Sequence, residues 1–285
     1  MLKDVEMTAA TIKLFLPQGD AKSLRTAEIS NWSGKAIAAP RTEVDELLAR
    51  EELGKPGVYL LIGSDPGTNA PRAYIGEAEV LRQRFKQHKS KEFWFTAIAF
   101  VSKDENLTKA HVRYLESRIL VEAAAIGRFT LEQNQAGGSQ LPESDREDMD
   151  VFLSRIRQLL PVLGSDILTP IVQQSVFSHP VLLLCRIKAA EARGKRTANG
   201  FVVLKGSTAV PEVRPSARGW VTALRQQLIA NGTLVVKGDL LHFTKDVEFS
   251  SPSAAAATIR GGNSNGLTAW RTEDGVTLKQ LDEQA

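Results

Sequence analysis

Two short strings near residue 60 place tyrosine and glycine side by side in a setting typical of β-strands. Residues 57–59 are Gly-Val-Tyr and residues 74–76 are Tyr-Ile-Gly, with turn-forming residues between them. Because residues two apart in a strand share one face, a hairpin can bring Tyr59 and Tyr74 together as diagonal neighbours. The pair predicts either two tyrosines in a sheet core or one wall of a catalytic site. A tyrosine serves as a base only where nearby cations lower its pKa.

A basic helix is predicted directly after the second tyrosine. Residues 82–91 contain five lysines and arginines and no acidic residue, which predicts either a solvated helix face or a surface for phosphate. Arg84 and His88 are four residues apart and therefore share one helix face. An arginine fork matches phosphate oxygens better than the point charge of a lysine does. The basic residues expected to bind nucleic-acid phosphates are Arg82, Arg84, Lys86 and Lys89.

A carboxylate lies in the apolar stripe of the next helix, predicted over residues 108–126. Glu116 is four residues from both Val112 and Leu120, so the helical phase directs it inward. Burying a carboxylate without compensation is costly, so a partner cation, a set of donors or a divalent metal ion is expected. One glutamate with water and phosphate oxygens suits Mg²⁺. A structural salt bridge is the alternative.

In their order and spacing these residues resemble the GIY-YIG nucleases, with Val58 in place of the first isoleucine of the motif. The resemblance covers residues 57–135. It implies an α/β (α+β) domain in which a small three-stranded antiparallel sheet is flanked by helices. It also implies metal-dependent hydrolysis of DNA, with Mg²⁺ or Mn²⁺ bound by Glu116. The catalytic residues that it implies are Tyr59, Tyr74, Arg84, His88, Glu116 and Asn134, the last of which closes the family motif.

One position departs from the pattern of this family. Glu77, three residues beyond Tyr74, stands where several relatives carry a lysine near the scissile phosphate. An acid there favours the alternative of a DNA-binding protein that has kept the scaffold and lost catalysis. A nuclease that acts on RNA is a further alternative. Whether Tyr59 or Tyr74 positions the attacking water is open at this stage.

The chain is expected to contain four segments. They are a lead-in at 1–55, the nuclease domain at 56–140, a helical linker at 141–179 and a second small α+β domain at 180–285. In this last domain, residues 201–207 (Phe-Val-Val-Leu-Lys-Gly-Ser) and the closing stretch 251–278 resemble an uncharacterised domain that often follows nucleases of this type. The same domain includes a basic loop predicted at 191–200. Trp270 and Arg271 within it could contact a base and a phosphate, but a core position is favoured for the tryptophan.

Bulk composition is that of an ordinary soluble protein of 285 residues with a net charge of +3. A single cysteine, Cys185, allows no disulfide within the chain and is expected to be a core thiol, which fits a reducing compartment. The N-terminus lacks the features of a signal peptide, and no apolar stretch approaches the roughly 20 residues that cross a bilayer. We therefore expect a cytoplasmic protein with no membrane partner. The sequence does not indicate its oligomeric state.

Overall fold

The chain forms two compact units of mixed α/β structure, residues 1–169 and 170–285. The computed structural model describes residues 9–67, 70–132, 137, 139–170, 181–197, 200–215 and 217–284. None of the helices in this part of the chain has both the length and the apolar character needed to cross a membrane.

The first unit is built on one seven-stranded sheet covered by helices. Its elements are β1 (Ile12–Phe15), β2 (Arg25–Ile29), β3 (Gly34–Pro40), α1 (Val44–Ala49), β4 (Gly57–Ser64), β5 (Pro71–Ala78), α2 (Leu81–His88), β6 (Trp94–Ser102), α3 (Lys109–Ile126), β7 (Thr130–Leu131) and α4 (Glu143–Val162). The strands lie in the order β1-β2-β3-β6-β4-β5-β7. Neighbouring strands are antiparallel, except that β5 and β7 run parallel.

The expected sheet of three strands was too small. β4, β5 and β6 form the antiparallel centre as expected, but β3 pairs with β6 along its whole length and extends the sheet to β2 and β1. Residues 34–40 carry three alanines and a proline, which are poor strand formers, so propensity alone does not indicate a strand. Pairing on both sides and burial of the alanines stabilise it instead. The expected lead-in segment therefore supplies strands to the same sheet.

The central hairpin separates two cores because successive strand residues face opposite sides of the sheet. Val58 and Leu60 pack with the apolar residues of α3 and α4. Tyr59 and Leu61 face the other way, toward the helices that precede and follow the hairpin, α1 and α2. Helix α4, expected as part of a linker, thus contributes to the core of the first unit.

Helix α3 begins and ends at the residues that the sequence indicates. The Thr108 side chain accepts a hydrogen bond from the backbone N–H of His111, and the His111 ring accepts one from the backbone N–H of Thr108. This reciprocal capping satisfies two donors that the helix itself leaves unpaired. At the other end Gly127 adopts the left-handed conformation with φ of 70°, which glycine reaches without strain.

The second unit contains two smaller sheets and four helices among its described residues. Its elements are β8 (Leu183–Ile187), β9 (Ala190–Thr197), β10 (Gly200–Val203), β11 (Thr208–Ala209), α5 (Gly219–Ala230), β12 (Leu234–Lys237), β13 (Leu240–Phe243), β14 (Val247–Phe249), α6 (Pro252–Arg260), α7 (Gly266–Ala269) and α8 (Leu278–Gln284). The sheet orders are β14-β10-β9-β8 and β11-β13-β12.

The basic loop predicted at residues 191–200 was wrong, because most of this segment is strand β9. It pairs with β8 on one side and β10 on the other. Ala192 and Gly194 are buried while Arg193 is exposed. Successive residues of a strand face opposite sides of the sheet, so the charged side chain of Arg193 points away from the core. Gly194 is required because a Cβ there would lie 2.4 Å from the ring of Phe201.

The core of the second unit is centred on Trp270, as favoured from the sequence. Its ring is fully buried and lies 4.4 Å from that of Phe201, and its indole N–H donates to the carbonyl of Pro252 at 2.9 Å. Cys185 is buried in the same core, as expected, and burial raises the pKa of its thiol to about 11. Arg271 remains exposed, and its backbone bridges to Leu184.

Candidate active site

Tyr59 and Tyr74 lie side by side on one face of the β4–β5 hairpin. Tyr59 is opposite Gly76 and Tyr74 is opposite Leu61, so the two tyrosines are the diagonal neighbours that the hairpin predicts. Their ring centroids are 6.0 Å apart. A Cβ on residue 76 would lie 2.5 Å from the Tyr59 hydroxyl, so close that the ring of Tyr59 would have to move. The glycine of the second string therefore makes room for the tyrosine of the first.

Helix α2 brings His88 against both tyrosines. The Tyr59 hydroxyl is hydrogen-bonded to Nε2 of His88 at 2.7 Å, and the imidazole centroid lies 4.8 Å from that of Tyr74. Phe85, one turn earlier, packs 5.1 Å from the ring of Tyr59. The indole N–H of Trp94 donates to the backbone carbonyl of His88 at 3.0 Å. The end of α2 is thus fixed over the hairpin.

Burial holds Tyr59 as a neutral phenol. Desolvation, followed by Tyr74 and the charge of Glu116, raises the pKa of Tyr59 well above its ordinary value, and Arg84 opposes the shift. The condition for Tyr59 to act as a base, a pKa lowered by cations, is therefore not met. Burial, followed by the charges of Lys91 and Arg84, lowers the pKa of His88 to about 4, so its imidazole is neutral at pH 7.

Glu116 is buried, as the helical phase predicts, with 8% of its surface exposed. Its helix packs on the face of the sheet opposite to α2, yet its charge acts on the Tyr59 hydroxyl. Strand β7 pairs with β5 only at Arg72 and Ala73, so in the described structure β5 lacks an outer neighbour at Gly76. The charge of Glu116 is thus one of the smaller causes that raise the pKa of Tyr59.

The four basic residues expected to bind phosphate have different surroundings. Arg84 and Lys86 are exposed, and the Arg84 guanidinium donates to the side chain of Gln87 at 3.1 Å. Arg82 is partly buried because its guanidinium donates to the backbone carbonyls that end helix α1, at 2.9 and 2.8 Å. Lys89 forms an ion pair with Asp45. Asn134, the last expected catalytic residue, lies outside the described residues.

Lys91 belongs to this site, although sequence reasoning did not single it out. Its ammonium group lies 4.1 Å from the centroid of the Tyr74 ring, at cation–π distance, and its charge lowers the pKa of His88. The only signal in the sequence is its place at the end of the basic run, in the turn after α2. Glu77, by contrast, is paired with Val58 and faces the α3 side of the sheet, away from the face that carries Tyr74.

Metal ligands are sparse in this region. Within the ranges that the structure describes, no group of three or more histidine, cysteine, aspartate or glutamate residues could hold a metal ion. The donor that the site offers is the single carboxylate of Glu116. This donor set suits a cation that keeps most of its ligands as water.

Comparison with protein-family models matches residues 183–282 to a family described as a domain of unknown function, DUF4357. The match agrees with the resemblance of the C-terminal portion to an uncharacterised domain, and it covers most of the second unit. No GIY-YIG model matches the chain, so the resemblance of residues 57–135 to that family stays a hypothesis. Searches of curated proteins and of solved structures returned no match.

Proposed function

We propose that the first unit is a GIY-YIG-type endonuclease that hydrolyses phosphodiester bonds in DNA with Mg²⁺ or Mn²⁺. The observation that carries the proposal is the setting of the Tyr59 hydroxyl. It is hydrogen-bonded to His88, packed beside Tyr74 and subject to the charges of both Arg84 and Glu116. A buried carboxylate is costly, and groups with shifted pKa values, such as the Tyr59 phenol and the His88 imidazole, concentrate at functional sites.

Two cations are available to a phosphate at this site. Arg84 is exposed on α2, and its guanidinium can bind two phosphate oxygens at once. Lys91 is a partly exposed residue whose ammonium group lies over the ring of Tyr74. Charge that builds on the phosphoryl oxygens during hydrolysis would be stabilised by both. Several relatives carry a lysine at the position of Glu77, and the lack of that lysine favoured an inactive protein. In this proposal Lys91 supplies the missing positive charge from another position.

The two tyrosines take different roles in this proposal. Tyr59 is fully buried, whereas Tyr74 is partly exposed. Tyr74 is therefore the tyrosine that contacts the attacking water. Tyr59 holds Tyr74 in place, and the neutral imidazole of His88 holds Tyr59. The elevated pKa of Tyr59 suits this supporting role, since a phenol that keeps its proton can donate a hydrogen bond throughout the reaction.

The metal fits the residues that are present. Glu116 would bind Mg²⁺ or Mn²⁺ through its carboxylate, with water and phosphate oxygens as the remaining ligands. When bound, the ion supplies charge neutralisation on the phosphate and assistance to the leaving oxygen. The carboxylate of Glu116 is buried, and charges interact more strongly where water is excluded. Its negative charge would therefore attract a divalent cation strongly.

The test is a cleavage assay on plasmid, branched, single-stranded and methylated DNA and on RNA, with Mg²⁺, with Mn²⁺ and with EDTA. We expect DNA cleavage that requires the metal and is lost in Glu116→Gln, which keeps the size of the side chain. Glu92→Gln, an exposed glutamate of the same unit, is the matched control and should cleave normally. DNA binding without cleavage in every metal would contradict the proposal and support the inactive scaffold. Cleavage of RNA alone would contradict the choice of substrate.

A further inference from the structure

The second unit contains a cavity of about 410 Å³ that no assigned function uses. It lies where the start of α5 meets α6 and the loop between α6 and α7. The side chains that line it include Arg218, Trp220, Ser253, Asn263 and Asn265. Its volume falls within the range of small-ligand sites, about 300–1,000 Å³.

An exposed aromatic residue, Trp220, and one cation without an ion-pair partner in the described residues, Arg218, define the chemistry of this cavity. Trp220 is the most exposed of the four tryptophans, at 44%, and it lines the cavity. Arg218 is exposed and forms no ion pair with any carboxylate in the described part of the chain. An exposed tryptophan and an arginine that line one cavity are suited to stacking on a base and binding its phosphate.

The polar edge of the cavity is preorganised by its backbone. The backbone N–H of Gly266 donates to the side chain of Ser253 at 2.9 Å, and a Cβ on residue 266 would lie 2.3 Å from the backbone of Pro252. The side-chain oxygen Oδ1 of Asn265 accepts a hydrogen bond from the backbone N–H of Leu267 at 3.0 Å, which fixes the orientation of the Asn265 amide. The amide nitrogen of Asn265 has no partner within the described ranges and is available to a ligand.

The charge of the whole chain is concentrated in this unit. Residues 170–285 contain 14 lysines and arginines against 9 aspartates and glutamates, whereas residues 1–169 contain 22 against 24. The positive excess of the protein therefore lies entirely in the second unit. A polyanion is the partner that such an excess attracts.

We propose that this cavity binds an unpaired nucleotide of a single-stranded nucleic acid. The base stacks on Trp220, Arg218 binds the adjacent phosphate, and the amides of Asn263 and Asn265 meet the edge of the base. A base within a duplex is stacked on both faces and cannot enter a concave site. The site lies wholly in the second unit, so it stands whether or not the first unit cleaves DNA.

Binding of fluorescein-labelled single-stranded DNA, single-stranded RNA and duplex DNA to the full chain, in EDTA, tests this inference. Trp220→Ala should weaken single-strand binding about tenfold, and Trp220→Phe, which keeps a ring, should restore most of it. Arg218→Ala should weaken binding and reduce its salt dependence by about one counterion. The controls are Ile229→Ala, an exposed apolar residue of the same helix, and Lys237→Ala, an exposed cation elsewhere in the unit.

Tighter binding of either single strand than of the duplex, together with selective loss in Trp220→Ala, would support the site. Tighter binding of single-stranded DNA or of single-stranded RNA would identify which of the two is the ligand of this cavity. Unchanged binding in a folded Trp220→Ala protein would overturn the proposal, as would an equal loss in Ile229→Ala. Since EDTA removes any metal-dependent cleavage, a protein that binds but never cuts contradicts only the nuclease proposal.

Discussion

The hydroxyl of Tyr59 and Nε2 of His88 are 2.7 Å apart, and both side chains are buried. The bond joins strand β4 to the last turn of α2, 29 residues further along the chain. It couples the position of the tyrosine pair to the protonation of one imidazole. A neutral imidazole can accept a hydrogen bond from the phenol, whereas a protonated imidazole carries hydrogen on both nitrogens and cannot accept one.

Acid should therefore destabilise the first unit through His88. Burial and nearby cations lower the pKa of His88 to about 4 in the folded protein, against about 6.5 in the unfolded chain. As pH falls below 6.5 the unfolded chain takes up the proton first, so stability is lost progressively down to pH 4, by up to about 3 kcal/mol. Above pH 6.5 this group contributes no pH dependence. Urea unfolding of His88→Gln should show a flatter pH profile in that window than the unchanged protein, and an equally steep profile in the variant would contradict this assignment.

Replacing Gly76 by alanine should destabilise the hairpin. The new Cβ would lie 2.5 Å from the Tyr59 hydroxyl and 2.6 Å from the adjacent ring carbon, so the ring must move. Overpacking of this kind costs about 1–3 kcal/mol. Gly54→Ala is the control, since a Cβ there meets nothing within 4 Å, and it should change the free energy of unfolding by under about 0.5 kcal/mol. Equal losses in the two variants would show that the close contact with Tyr59 is unimportant.

Arg84→Ala should reduce DNA cleavage by about 10²–10³-fold with little change in the urea midpoint. The guanidinium is exposed and bonds only to Gln87 among the hydrogen bonds of the described residues, so the fold depends on it little. Arg84→Lys should recover part of the rate, because a lysine keeps the charge and loses the fork. A normal rate in Arg84→Ala would remove this residue from the catalytic set.

Removal of the Lys91 charge should raise the pKa of His88 toward its ordinary value. The cation lies over Tyr74 and is, after burial, the largest cause of the lowered pKa of that imidazole. Titration of the His88 ring by NMR in Lys91→Gln measures the shift directly. Lys89→Gln is the matched control because Lys89 is engaged with Asp45. If Lys91 also acts on phosphate, the same variant should cleave DNA about tenfold more slowly.

Alanine variants of Arg82 and Lys86 should have different effects: the first should lower the stability of the fold, and the second should weaken DNA binding. Arg82→Ala removes two hydrogen bonds to backbone carbonyls and should cost about 1–2 kcal/mol of unfolding free energy. Lys86 is exposed, so Lys86→Ala should leave stability nearly unchanged and reduce the salt dependence of DNA binding by about one counterion. A stable Arg82→Ala protein with weakened DNA affinity would instead place Arg82 on the DNA surface.

Local periodicity by itself determined several features of this protein. The burial of Glu116 follows from its distance to Val112 and Leu120 along one helix, and the diagonal placement of Tyr59 and Tyr74 follows from hairpin pairing. Both depend only on residues near each other in the sequence, because helices and hairpins have fixed repeats. The same repeat would have directed Glu77 to the opposite face, away from Tyr74.

Only the tertiary structure decided the features that depend on distant segments. The size of the sheet rests on β3, an alanine-rich strand stabilised by pairing with β6 more than 50 residues later in the chain. Lys91 reaches Tyr74 from a turn whose path no repeat specifies, and the exposure of Trp220 depends on how the second core closes. The pKa of Tyr59 likewise depends on burial beneath α2 and on a charge from α3. Sequence pattern sets which way a side chain faces within its own element, while desolvation and charge come from the elements that pack around it.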